Sequence, residues 1–267
     1  MPTNLETAIE IMADVFREEP KVRALYLSGS FGYGLADAYS DIDLLIVTED
    51  GPSDAIAALC RRAISAAGEI VLWWDRSVRP TLINAITADW LRVDVEMATP
   101  TQVAGRPQNA LKVIFDHDGI YDALPDQVAP PRPDPKFFRW QVEEFIRILG
   151  LMPLALGRQE YVIGLTGVFL LRGALIDLLI AEAALPHRGG MLHLNRQISG
   201  EQKTLLASMP PLEPTAEAVQ TAQLAYAAAF LPRARAMARD IGAEWPERFE
   251  AATWANLAVK LGIPRPY

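Results

Sequence analysis

The sequence predicts a chain of two parts, a mixed α/β half followed by an all-α half, and three observations carry that reading. Short β-prone runs mix with helical patterns up to about Met97, and their connections are too short for regular βαβ crossovers. A proline cluster (Pro125, Pro130, Pro131, Pro133, Pro135) then interrupts the chain where neither a helix nor a central strand is tolerated. Beyond it, the apolar spacing is helical throughout. The expected boundaries are 1–125 for the α/β domain and 126–267 for the helical bundle.

In the first part, Leu5, Ile9, Met12 and Phe16 recur at helical spacing over residues 4–18, with Pro20 closing the helix. Arg23–Ser28 reads as a strand ending at Gly29, and Ile42–Thr48 as a second strand stopped by Glu49-Asp50-Gly51-Pro52. Ser53 is placed to cap a helix running to about Ala67. Glu69–Trp74, Pro80–Ile86 and Leu91–Met97 complete five expected strands, forming a small mixed sheet covered on one face by helices. In the second part the helical segments are Phe137–Leu156, Glu160–Leu185, Glu201–Met209, Thr215–Ile241 and Pro246–Leu261, and a bundle is expected. His187-Arg188-Gly189-Gly190 reads as a helix-ending loop.

Bulk chemistry narrows the function. A formal charge of −8 and a pI near 5.0 argue against a groove that neutralises many phosphates of a long nucleic acid. An acidic surface concentrates cations, so a small and preferably cationic substrate fits better. One cysteine, Cys60, excludes an internal disulfide, and three histidines leave no imidazole- or thiolate-rich zinc site. Tyr161–Leu185 is apolar on nearly every face, but Arg172 and Asp177 in its middle make a buried bundle helix the better reading than a membrane span. The N-terminus lacks a basic-then-apolar leader pattern, and a cytoplasmic location is expected. A homodimer is compatible with the sequence.

The chemistry concentrates in Leu27-Ser28-Gly29-Ser30-Phe31-Gly32-Tyr33-Gly34, followed by Ser40-Asp41-Ile42-Asp43-Leu44-Leu45-Ile46-Val47. Residues two apart on a strand project from one face, so Asp41 and Asp43 point the same way while Ile42, Leu44 and Ile46 face the core. Carboxylates that close repel each other unless a cation or shared proton compensates. Mg²⁺ answers that need, preferring a few carboxylates with phosphate oxygens and water. Gly29-Ser30, directly after a strand, lets backbone N–H groups and a hydroxyl approach a phosphate. In Leu91-Arg92-Val93-Asp94-Val95-Glu96-Met97, the two acids share a face opposite Val93, Val95 and Met97; Asp94 is favoured over Glu96 as the third acid.

These residues resemble the nucleotidyltransferase superfamily with the DNA polymerase β-like palm. Its signature is an apolar residue, Gly-Ser or Gly-Gly, about ten residues, Asp-x-Asp, and later a third acid on another strand. Gly29-Ser30, Asp41, Asp43 and Asp94 match it, over roughly the first hundred residues. In the second half, Leu170-Leu171-Arg172-Gly173-Ala174-Leu175 and Asn195-Arg196-Gln197-Ile198 are similar, more diffusely, to antibiotic nucleotidyltransferases, especially the lincosamide type. The resemblance implies a palm followed by an acceptor-binding bundle, with the active site in the cleft between them. It implies Mg²⁺ on Asp41, Asp43 and Asp94, an NTP (ATP favoured) cradled by Gly29 and Ser30, and Asp94 also as general base. Arg172 and Asp177, on their apolar helix, read either as a buried ion pair or side chains reaching the bundle surface, or, with that helix lining the cleft, as placing Arg172 on phosphate. The implied reaction is transfer of a nucleoside monophosphate to a hydroxyl of a small molecule such as a lincosamide or aminoglycoside. Two rivals stand beside it: a protein-modifying, antitoxin-type transferase, against which the large helical half counts, and a catalytically silent nucleotide-binding module.

Overall fold

The computed structural model describes residues 4–76, 81–129, 132–185 and 191–265. Pro80, Pro130, Pro131 and the loop His187-Arg188-Gly189-Gly190 lie outside them. The chain divides into two compact units, Met1–Ala129 and Pro130–Tyr267.

The first unit runs α1 (Leu5–Arg17), β1 (Val22–Leu27), a single turn α2 (Gly29–Gly32), β2 (Ile42–Thr48), α3 (Asp54–Ala67), β3 (Ile70–Arg76), β4 (Thr81–Thr87), β5 (Arg92–Ala98), a short α4 (Pro100–Val103) and β6 (Lys112–Asp116). Asn4 caps α1, and Ser53 caps α3 by accepting from the Ile56 N–H, as the sequence predicts. The six strands form one mixed sheet in the order β3-β4-β5-β2-β1-β6. Only the central β2–β5 pair among these neighbours is parallel. The sixth strand, at the edge beside β1, is absent from the sequence reading. Its run Lys112-Val113-Ile114-Phe115-Asp116 is short and ends in a turn, so it carries too little alternation to declare itself.

Period-2 geometry sorts the strand residues onto two faces. Ile42, Leu44, Ile46, Val93, Val95 and Met97 join Met12, Phe16, Ile56 and Ile64 of α1 and α3 in one core. The opposite face is expected to be bare, yet it carries a second, smaller core. Leu45 and Val47 pack there with Ala24, Tyr26, Ala98, Val103 and Leu124, because α4 and the segment around β6 fold back over that end. Toward the N-terminal ends of β2 and β5 the same face turns polar.

The second unit contains α5 (Pro135–Gly150), α6 (Met152–Gly157), α7 (Tyr161–Ala183), α8 (Leu194–Gln197), α9 (Gly200–Ala207), α10 (Ala216–Ile241) and α11 (Glu247–Leu261) around a single apolar core. Two sequence expectations need correction. Pro135 belongs to α5 rather than to a linker: Asp134 caps the helix and Pro135 occupies its first turn, where the missing N–H costs nothing. The expected helix Phe137–Leu156 breaks at Leu151, since Pro153 cannot donate to a carbonyl four residues back, and α6 restarts there.

Helix α7 is long and apolar enough, by length and composition, to cross a membrane. Val168, Leu171, Leu175, Leu178 and Leu179 are buried in the bundle core, while Val162, Ile163, Phe169 and Leu170 are exposed. The all-round burial read from the sequence is therefore only half realised. Arg172 and Asp177 lie on the exposed side.

Candidate active site

Because β2 and β5 are parallel and in register, Asp43 lies directly beside Asp94. Asp41, just before β2, shares the parity of Asp43. One carboxylate oxygen from each of Asp41, Asp43 and Asp94 falls within 4.8 Å of the others, and all three residues are half-buried. Three acids so close in partial burial are unfavourable alone. The consequence is visible at Asp43, whose carboxyl is pushed up to about 6, first by burial and then by Asp41 and Asp94, with Arg92 opposing. The donor set is all oxygen, which suits a hard divalent cation.

Neighbouring side chains hold two of the acids. Arg92 places Nη1 at 3.7 Å from Asp41 Oδ2 and donates from Nη2 to the Tyr39 carbonyl at 2.9 Å. Asn84 Nδ2 donates to Asp94 Oδ1 at 2.6 Å. Glu96 shares the face but is held by an ion pair with Arg106, so Asp94 is the acid that joins Asp41 and Asp43. The sequence reading missed Asn84 and the contact of Arg92. The hairpin through Thr87–Leu91 carried the signal, because counting back from its turn sets Asn84 opposite Asp94.

The glycine-serine turn packs against this cluster. Gly29 has φ +54, and a Cβ there would sit 1.9 Å from Asp43 Oδ2. Gly32 is bound differently: its Cβ would meet the Ala110 carbonyl oxygen at 2.0 Å. The Ser28 N–H donates to the Asp43 carbonyl at 2.9 Å, tying the turn to β2. Ser30 Oγ is buried and has no hydrogen-bond partner among the described residues. A hydroxyl left unpaired beside a gathering of acids fits a ligand that brings acceptor oxygens.

Residues 9–86 match the nucleotidyltransferase domain family. The match supports a transferase, and it spans Gly29, Ser30, Asp41 and Asp43 but stops short of Asp94. No curated protein matches the chain. Among solved structures the protein is similar to an aminoglycoside 6-adenyltransferase from Bacillus subtilis, at 12% identity and a TM-score of 0.45, covering 96% of this chain and 98% of that one. A nucleotidyltransferase-like protein from Exiguobacterium sibiricum is similar at 13% identity and a TM-score of 0.39, covering 97% and 89%.

Arg172 lies in the second unit, away from the nucleotidyltransferase domain in sequence. It is exposed on α7, and its guanidinium acts on the Tyr226 phenol, partly offsetting the upward push of burial there. The second unit also contains a cavity of about 710 Å³, walled by Phe137, Trp140, Phe169 and Leu170 with Glu144 and Asp177 among its polar groups. Phe137 and Trp140 stack at 5.5 Å, and both are 56% exposed.

Proposed function

We propose that this protein transfers a nucleoside monophosphate, with ATP the favoured donor, to a hydroxyl of a small molecule, with antibiotics such as lincosamides or aminoglycosides the favoured class. The observation that carries the proposal is the convergence of Asp41, Asp43 and Asp94 within 4.8 Å beside Gly29-Ser30 in a nucleotidyltransferase domain. In this reading the three carboxylates hold Mg²⁺. A cation held there would neutralise triphosphate charge and supply electrostatic stabilisation to an in-line displacement.

The chain's own residues do the rest. Asp43 and Asp41 anchor the triphosphate end of the site, and Ser30 Oγ offers a donor to a phosphate oxygen. Asp94 takes the proton of the acceptor hydroxyl. The acceptor oxygen then bonds to the α-phosphorus as the bond between the α-phosphorus and the bridging oxygen breaks and pyrophosphate leaves. The second unit is assigned to the acceptor, since its cavity falls in the size range of small-molecule sites and its walls are apolar with a few polar groups. The assignment of Arg172 to phosphate rests on its charge and its place on α7 alone.

Pyrophosphate release should be measured with Mg²⁺, each of the four NTPs and a panel of lincosamides and aminoglycosides, with mass spectrometry for the adduct. A nucleoside monophosphate adduct on one class is expected. Failure to form any adduct would remove the small-molecule claim and leave the nucleotidyltransferase domain standing.

The raised Asp43 carboxyl adds a pH signature. A carboxyl that binds its proton more tightly folded than unfolded contributes stability at low pH, and that contribution is lost as pH rises from about 4 to about 6. Without metal, the unfolding midpoint contributed by this site therefore falls across that window. Mg²⁺ binds the ionised form, so its stabilisation grows across the same window. Thermal unfolding with and without Mg²⁺ at pH 5 and pH 7.5 tests both trends; a Mg²⁺ effect equal at the two values would contradict the assignment.

A further inference from the structure

Asn84 and Asp94 face each other across the β4–β5 pair. The Asn84 amide donates to Asp94 Oδ1 at 2.6 Å, which fixes its orientation, because the reverse placement would set a carbonyl oxygen against a carboxylate oxygen. Its other end, Oδ1, is buried and meets no donor among the described residues. An amide kept on this face with half of its bonding unmet is poorly explained by packing, which an apolar side chain of the same shape would serve better. The bond it does make goes to the third acid.

A comparison within β5 shows what kind of bond this is. Glu96, two residues on and on the same face, is held by the guanidinium of Arg106. A cation in direct hydrogen-bond contact, as Arg106 is with Glu96, neutralises the carboxylate and competes with any metal, whereas Arg92 stays at 3.7 Å from Asp41. An amide N–H holds a carboxylate in place while leaving its full negative charge. Without a tether, the charges of Asp41 and Asp43 would drive Asp94 out toward solvent.

We propose that Asn84 is a positioning residue for divalent-cation binding: it holds Asp94 against the repulsion of Asp41 and Asp43 through a neutral donor. The inference rests on the metal reading given above, and its test separates the two. Mn²⁺ alone serves as the probe, titrated into the full chain and followed by the electron paramagnetic resonance of the free ion. Wild type, Asp41→Asn, Asn84→Leu and Asn84→Gln are compared, with metal-free thermal unfolding of each. Wild type is expected to bind and Asp41→Asn to bind far more weakly. Asn84→Leu keeps the side-chain shape without the donor, and its affinity is expected to fall about 10–100-fold, the usual loss for a partner that orients a metal ligand, with folding intact. Asn84→Gln, which keeps an N–H donor, is expected to recover part of that loss. If wild type binds Mn²⁺ and Asn84→Leu binds as tightly, the role of Asn84 is overturned while the metal site stands. Equal losses in the Leu and Gln variants would also overturn it, since the donor would then be irrelevant. Absence of Mn²⁺ binding by wild type would overturn the metal reading itself.

Discussion

Replacing Asp94 by asparagine is expected to lower nucleotidyl transfer by about 10²–10⁴-fold, the range associated with loss of a positioned acid–base group. Asparagine has the same shape, and its carbonyl oxygen can still accept from Asn84, so the sheet should fold as before. What changes is charge. One of the three oxygens gathered within 4.8 Å no longer belongs to an anion, and under the proposed mechanism the acceptor hydroxyl loses its base. Glu96→Gln provides the contrast, because Glu96 is already committed to Arg106. That variant should retain most activity, although Arg106 loses an ion-pair partner. Initial rates of pyrophosphate release, with thermal unfolding of each variant, check the pair. Equal losses in the two variants, or a wild-type rate in Asp94→Asn, would show that the third acid has been misassigned.

The second large effect is expected at Gly29. Alanine there would adopt φ +54, a left-handed conformation that costs about 1–2 kcal/mol for a residue with a Cβ. Its Cβ would also fall 1.9 Å from Asp43 Oδ2, so the carboxylate would have to move by more than an ångström. Misplacement of about 1 Å at a reacting centre can reduce rate by about 10²-fold. Gly29→Ala should therefore lose activity on that scale while losing only modest stability in urea unfolding. The ratio is the informative quantity. Stability loss with activity intact would show that the turn serves only folding. Activity loss with stability nearly intact places Gly29 in the geometry of the acids.

Much of the site is legible in the linear text, for identifiable reasons. Asp41 and Asp43 share a face because strand periodicity is two, and that holds wherever the strand lies in the sheet. Gly29-Ser30 announces itself because a glycine directly after a strand marks a left-handed or close-packed position. Alternation gives Asp94 and Glu96 the same face and cannot separate them. The separation came from Arg106, which reaches Glu96 from a loop ten residues on. Asn84 looked like any polar strand residue until the β4–β5 register set it against Asp94.

What this sequence determines by itself is local: where strands and helices begin, which face of each is apolar, and which acids share a face. These follow from backbone periodicity, capping and the fixed chemistry of each side chain, and they need no partner segment. Tertiary structure decided the rest. It paired β2 with β5 in parallel so that acids about fifty residues apart became neighbours, buried Asp43 enough to raise its carboxyl, and chose which donor holds which acid. Register and desolvation are properties of contacts between distant segments, and no window along the chain contains them.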